Sequence, residues 1–291
     1  MNQSNLKKLQ NLLKEKDTDI FVINRSDEYL NEYISPNAER LNFITNFSGS
    51  AGRAIITPTD AFLYVDGRYT FQANTQINAK EIQAKHLNSF WTDLEKILLE
   101  KELKIALDPT LHSIIEIEKV EKMLENSTSQ LQLIDKNFVD LIWENQPKTQ
   151  YTDIFDHPTS FAGQARSEKL DILKKFLDQN EIDHYFVSGL DNIAWLLNLR
   201  ADDIKYTPLL YSYLLISKNN KHSLYIKESS MPEILKKEIQ TLININNIEN
   251  IGSIFNNINS SESIGLDFNS TTCLLYTSDA ADEEDSVDLG G

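Results

Sequence analysis

Asp19-Ile20-Phe21-Val22-Ile23 reads as a short apolar strand behind an acidic turn, and the chain repeats the pattern at Asp183-His184-Tyr185-Phe186-Val187. An amphipathic helix precedes each copy. Leu6, Leu9, Leu12 and Leu13 line one face of the first, with Ser4 as its N-cap; Leu170, Leu173, Phe176 and Leu177 line the second, with Ser167 as its cap. Asp27 and Asp191 follow at the same spacing of 164 residues. Leu63-Tyr64-Val65 then matches Leu224-Tyr225-Ile226, and Lys104-Ile105-Ala106-Leu107-Asp108 matches Ser263-Ile264-Gly265-Leu266-Asp267. The offset drifts from 164 to 159, as changes in loop length produce. Chance can supply one such match; four in order indicate duplication. A period of roughly 160 residues is too long for a solenoid, so the repeated unit is a domain.

Strand patterns at Ala54-Ile55-Ile56, Tyr213-Leu214-Leu215-Ile216 and Leu242-Ile243-Asn244-Ile245 alternate with helical ones at 89–103, 113–124 and 231–242. Such alternation predicts an α/β fold. Some strands alternate apolar and polar residues, so each sheet is predicted to be mixed, with helices flanking it. The polar stretch from Gln146-Pro147 to Pro158 marks the boundary. The predicted organisation is a first domain at 1–146, a linker at 147–158, a second domain at 159–272 and a tail at 273–291.

Composition excludes several classes. The chain has 291 residues and a formal charge of −16, the opposite of the basic footprint that phosphate backbones require. No apolar run approaches the roughly 20 residues of a membrane helix, and residues 1–16 have no signal-peptide character, which predicts a cytoplasmic protein that binds neither nucleic acid nor membrane. The lone cysteine, Cys273, makes no disulfide framework.

The tail differs from the rest. Residues 273–291, CLLYTSDAADEEDSVDLGG, carry six acids (Asp279, Asp282, Glu283, Glu284, Asp285, Asp288) and no base. Back-translated, they fit a transposase sequencing adapter. The alternative is a natural acidic, disordered C-terminus. On the adapter reading the natural sequence is interrupted near Thr272, carries a charge of −10, and the tail is disordered.

Motifs for nucleophilic, phosphate-binding or zinc chemistry (GxSxG, GxxxxGK[ST], GxGxxG, HExxH) do not occur. The five histidines are scattered singly, and no metal site is predicted. Two segments stand out. In Phe43-Ile44-Thr45-Asn46-Phe47-Ser48-Gly49-Ser50-Ala51-Gly52-Arg53, small residues from Ser48 to Gly52 suit a tight turn or close backbone approach. In Leu63-Tyr64-Val65-Asp66-Gly67-Arg68-Tyr69-Thr70-Phe71, a strand ends in an Asp-Gly turn and Arg68 opens a helix. An arginine there can reach a ligand carboxylate with its planar fork, or form an internal salt bridge with Asp66. In the second copy, Leu190 to Arg200 reads as a helix with Trp195 and Leu199 on its apolar, core-facing side.

SGSAGRAIIT (48–57), LYVDGRYTFQA (63–73), SGLDNIAWLLNLRADDI (188–204) and TPLLYSYLLIS (207–217) closely resemble the N-terminal half of the three-domain aminopeptidase P family, over residues 6–272. The resemblance implies two creatinase N-terminal-type domains followed by a "pita-bread" catalytic domain that this chain lacks. It implies removal of the N-terminal residue from Xaa-Pro peptides, using two divalent metal ions, usually manganese, on ligands with no counterpart here. It also implies a homodimeric parent enzyme. Arg68 corresponds to the arginine of the family's DGRY motif, which lies near the substrate. On this resemblance Arg68 is the one substrate-binding residue, Asp66, Gly67 and Tyr69 support it, and the chain by itself is inactive, serving substrate gating and assembly. The competing readings are a non-catalytic α/β scaffold and a related creatinase or proline dipeptidase, which typically carries one such N-terminal domain.

Overall fold

A computed structural model describes residues 3–256, 258–273 and 287–288. The chain divides into two compact units, one comprising residues 1–28 and 34–148 and the other residues 29–33 and 149–291.

In the first unit, six strands are built from β1 (Ile20–Asn24), β2 (Gly52–Ile56), β3 (Ala61–Val65), β4 (Gln83–His86), β5 (Lys104–Leu107) and β6 (Gln130–Leu133). Their spatial order is β4-β3-β2-β1-β5-β6. The pairs β1–β2 and β2–β3 are antiparallel, while β3–β4, β1–β5 and β5–β6 are parallel. This is the mixed sheet the sequence predicts. Its helices are α1 (Asn5–Glu15), α2 (Arg40–Thr45), α3 (Thr70–Gln76), α4 (Phe90–Glu100), α5 (Ile114–Leu124) and α6 (Phe138–Ile142). All five residues of β1 are buried because helices cover both sheet faces, which is why β1 reads as an unbroken apolar run. Phe21 and Ile23 share one core with Leu6, Leu9 and Leu13 of α1. On the opposite face, Tyr64 meets Phe90 of α4 edge-on at 5.2 Å. The Ser4 hydroxyl accepts from the Lys7 N–H, so the predicted cap of α1 is present.

The second unit repeats the arrangement. It has β7 (Phe155–Asp156), β8 (His184–Val187), β9 (Leu199–Arg200), β10 (Tyr213–Ser217), β11 (Ser223–Ile226), β12 (Asn244–Asn247), β13 (Ile264–Leu266) and β14 (Val287–Asp288). Its helices are α7 (Thr159–Ala162), α8 (Arg166–Gln179), α9 (Leu190–Leu197) and α10 (Glu233–Ile239). The six-stranded order is β12-β11-β10-β8-β13-β14, and the three inner antiparallel strands and two parallel flanks match the first sheet strand for strand. The duplication inferred from four short matches is therefore a duplication of topology. β7 and β9 form a separate antiparallel pair, and within 147–158 Ile154 is buried in the second core.

Three local expectations change. Ser167 does not cap α8: the helix begins at Arg166, because the Glu168 carboxylate folds back on the Ala165 N–H at 3.2 Å and moves the cap two residues earlier. Trp195 is not in the core. Asn198 adopts a left-handed φ of 51° that ends α9, so Leu199 leaves the helical face for β9 and Trp195 remains 57% exposed. The strand expected at 242–245 runs instead at Asn244–Asn247, because Leu242 still closes the turn after α10. Of the tail, Cys273 is buried and Val287–Asp288 pairs with β13. Residues 274–286 and 289–291, on which the expectation of disorder falls, lie outside the described residues.

Candidate functional site

The site grows from the end of β3. Asp66 takes an extended conformation and its carboxylate accepts from the Arg68 N–H at 3.0 Å, which starts a 3-10 turn over Gly67–Tyr69 before α3 begins at Thr70. The same oxygen accepts from Arg68 Nε at 2.8 Å. These bonds to Arg68 hold the Asp66 carboxyl below its usual range. A Cβ on Gly67 would stand 3.3 Å from His86 Nε2, so a larger residue would have to displace that ring. The salt bridge foreseen as one role for Arg68 is thus present, yet the Arg68 side chain is 70% exposed. Phe71, one helical turn on, is 85% exposed.

The small-residue loop lies against this turn. Asn46, at φ 61°, ends α2 and turns the chain into Phe47, which is fully buried. A Cβ at Gly49 would fall 2.2 Å from the Phe47 ring, so the loop closes over Phe47 only with glycine there. Gln72 and Gln76 of α3 both donate to Ser48 Oγ, at 3.1 and 2.8 Å, and Gln76 accepts from the Ser48 N–H at 3.0 Å. Ser50 Oγ lies 2.8 Å from the Tyr69 hydroxyl. The fold therefore brings the two odd segments of the sequence into one surface, with Arg68 at its exposed edge.

The second unit supplies an internal control. β11 is also followed by a 3-10 turn, Glu228–Ser230, and then by α10. There Lys227 stands in the place of Asp66 and pairs with Glu249 at 2.7 Å, while exposed Ser229 takes the place of Arg68. The scaffold builds this turn without an arginine.

Other polar clusters have structural explanations. Arg40, buried, bonds both Asp140 oxygens through Nε and Nη2 at 2.8 and 2.9 Å and reaches Glu28 at 3.2 Å. Burial pushes the Glu28 carboxyl up. Sequence reasoning missed this pair because its members lie 100 residues apart and neither sits in a motif. Ser217 Oγ lies 2.8 Å from His184 Nδ1, and Glu262 lies 3.6 Å from Nε2, an order resembling nucleophile, base and acid. Ser217 is 2% exposed, however, so its oxygen is sealed from any substrate. His112 Nδ1 contacts the Asp108 carbonyl at 2.8 Å, and burial lowers its pKa. Among the described residues no group of three or more His, Cys, Asp or Glu side chains could hold a metal ion, so the donor set for a dinuclear centre is not found in them. No described helix is long and apolar enough to cross a membrane.

Comparison with known proteins places this geometry. Residues 5–136 and residues 145–288 each match the creatinase/prolidase N-terminal domain. A probable Xaa-Pro aminopeptidase P of Paracoccidioides brasiliensis (strain Pb03) is 34% identical over 238 residues, covering 80% of this chain and 38% of the relative. The corresponding protein of Neosartorya fischeri is 32% identical over 292 residues, covering 98% and 44%. The X-prolyl aminopeptidase of Caenorhabditis elegans, described as a cytosolic enzyme with a di-nuclear active site, superposes with a TM-score of 0.89 at 24% identity, over 97% of this chain and 49% of that one. The chain thus spans less than half the length of each of these relatives. It belongs to the creatinase/prolidase N-terminal domain family and carries that domain twice in tandem.

Proposed function

We propose that this chain is the substrate-holding, non-catalytic portion of a peptidase that removes the N-terminal residue from peptides with proline in second position. Relatives that align with 80% and 98% of it are named Xaa-Pro aminopeptidase P. The observation that carries the role is Arg68: it is 70% exposed on a turn that the twin unit builds with Ser229, so the fold does not require a guanidinium there. Its planar fork suits a peptide carbonyl or terminal carboxylate. Its Nε bond to Asp66 fixes the direction in which it is presented.

On this reading the chain gates and orients the peptide. Hydrolysis depends on two divalent metal ions, manganese by the family resemblance, whose ligands lie outside the described residues. The chain alone is inactive, and the whole enzyme is a cytosolic homodimer.

The test is to recover the intact reading frame across Thr272, express its product, and assay a Xaa-Pro-Xaa tripeptide and longer peptides with and without manganese. Metal-dependent release of the first residue from both supports the proposal. Cleavage of Xaa-Pro dipeptides alone would assign a proline dipeptidase. A frame that stops just beyond Thr272 would leave a scaffold protein.

A further inference from the structure

We infer that Tyr69 is a positioning residue for Arg68, acting through a latch to the Ser48–Gly52 loop. The inference rests on the reading of Arg68 as a substrate contact. Arg68 sits on a turn of three residues and projects into solvent, where a long side chain carries much rotamer freedom. One anchor is Asp66, through Nε at 2.8 Å. Another is the Tyr69 ring, whose centroid lies 5.6 Å from Arg68 Cζ. That ring is itself held on two sides. Its hydroxyl meets Ser50 Oγ at 2.8 Å, and its ring packs against buried Phe47 in a T-shaped pair at 5.8 Å and 77°. Phe47 lies under Gly49, the residue that lets the loop close. The chain of contacts runs from the core through Phe47 and Ser50 to Tyr69, and from Tyr69 to the guanidinium. This gives the small-residue loop a purpose that a plain turn does not have: it holds the hydroxyl that fixes the ring beside Arg68.

The test uses the 291-residue chain and needs no peptide. The solvent-exchange rate of the Arg68 Nε–H is measured by nitrogen-15 NMR in the wild type, Tyr69→Phe, Ser50→Ala and the double variant, with thermal midpoints as a fold control. Tyr69→Phe keeps the ring and its contact with Phe47, so it isolates the hydroxyl. Each single variant is expected to speed Arg68 exchange, by at most about tenfold, the factor that one hydrogen bond of ordinary strength corresponds to, since the Nε–H keeps its own bond to Asp66. The double variant is expected to add nothing, because both singles break the same bond. Unchanged Arg68 exchange in the single variants, or additive effects in the double, would overturn the latch. In the intact enzyme, Tyr69→Phe is then expected to raise KM and leave kcat unchanged. If Arg68→Ala raises KM and Tyr69→Phe does not, the latch has no part in binding. If Arg68→Ala itself leaves KM unchanged, the substrate-contact reading fails while the exchange data still decide the latch.

Discussion

The Asp19 carboxylate accepts a hydrogen bond from the Lys104 backbone N–H at 2.8 Å, and Asp183 accepts the same bond from Ser263 at 2.9 Å. Each aspartate stands just before the central strand of its sheet and ties it to the parallel strand beside it, so the repeated acidic turn has a single physical cause in both units. The copies differ in partners. Asp183 adds a bond to Ser263 Oγ at 3.2 Å and pairs with Lys218, two contacts beyond the bond that the Asp19 carboxylate makes with Lys104. Asp183→Ala is therefore expected to destabilise its unit by about 1–3 kcal/mol, and Asp19→Ala by less. Urea unfolding of the two variants checks the order; equal costs would contradict it.

Arg40 is 7% exposed at its side chain and holds Asp140 and Glu28 together. Replacing it with methionine preserves much of the volume but leaves two acids without their cation. Such a loss costs about 3–5 kcal/mol in a fully buried pair, and less is expected here because the Glu28 and Asp140 side chains are 40% and 29% exposed and water screens them. A urea midpoint for Arg40→Met within error of the wild type would show that water replaces the guanidinium.

Much of this architecture was legible in the sequence, and the reason is periodicity. β1 reads as a strand because both its faces are covered, and α1 because its leucines recur at helical spacing. What escaped was decided by contacts distant in sequence or by a single backbone angle. Nothing near Arg40 announces Asp140, and nothing before Asn198 announces the left-handed turn that leaves Trp195 outside the core. The candidate site was half legible. Its two segments were visible as motifs, but the Ser50–Tyr69 contact that joins them depends on the register of β2 against β3.

Acid is expected to loosen the fold in two steps. Burial lowers the pKa of His112 and of His222. A histidine whose folded pKa lies below its unfolded value contributes stability above the unfolded pKa, about 6.5, and that contribution is lost as pH falls below it, by at most about 1.4 kcal/mol per pH unit for each group. Asp183, held low by its bond to Lys218, and Asp93, held low by Lys85, contribute above about pH 4, and that stability is lost only below it. Glu28 and Asp203, pushed up by burial, act in the opposite sense. The histidine part is therefore read as a difference: between pH 7.5 and 5.5, His222→Asn is expected to lose less stability than the wild type. Parallel curves would contradict it.

Arg68 carries the account's central claim, and kcat/KM for a Xaa-Pro-Xaa peptide in the intact enzyme tests it most directly. Arg68→Ala is expected to lower kcat/KM by roughly 10- to 100-fold, the range for a hydrogen bond to a charged group, with the thermal midpoint unchanged because the side chain is exposed. Arg68→Lys is expected to recover only part, since it lacks the fork. A kcat/KM within twofold of the wild type in Arg68→Ala would contradict the claim and leave Arg68 as the surface partner of Asp66.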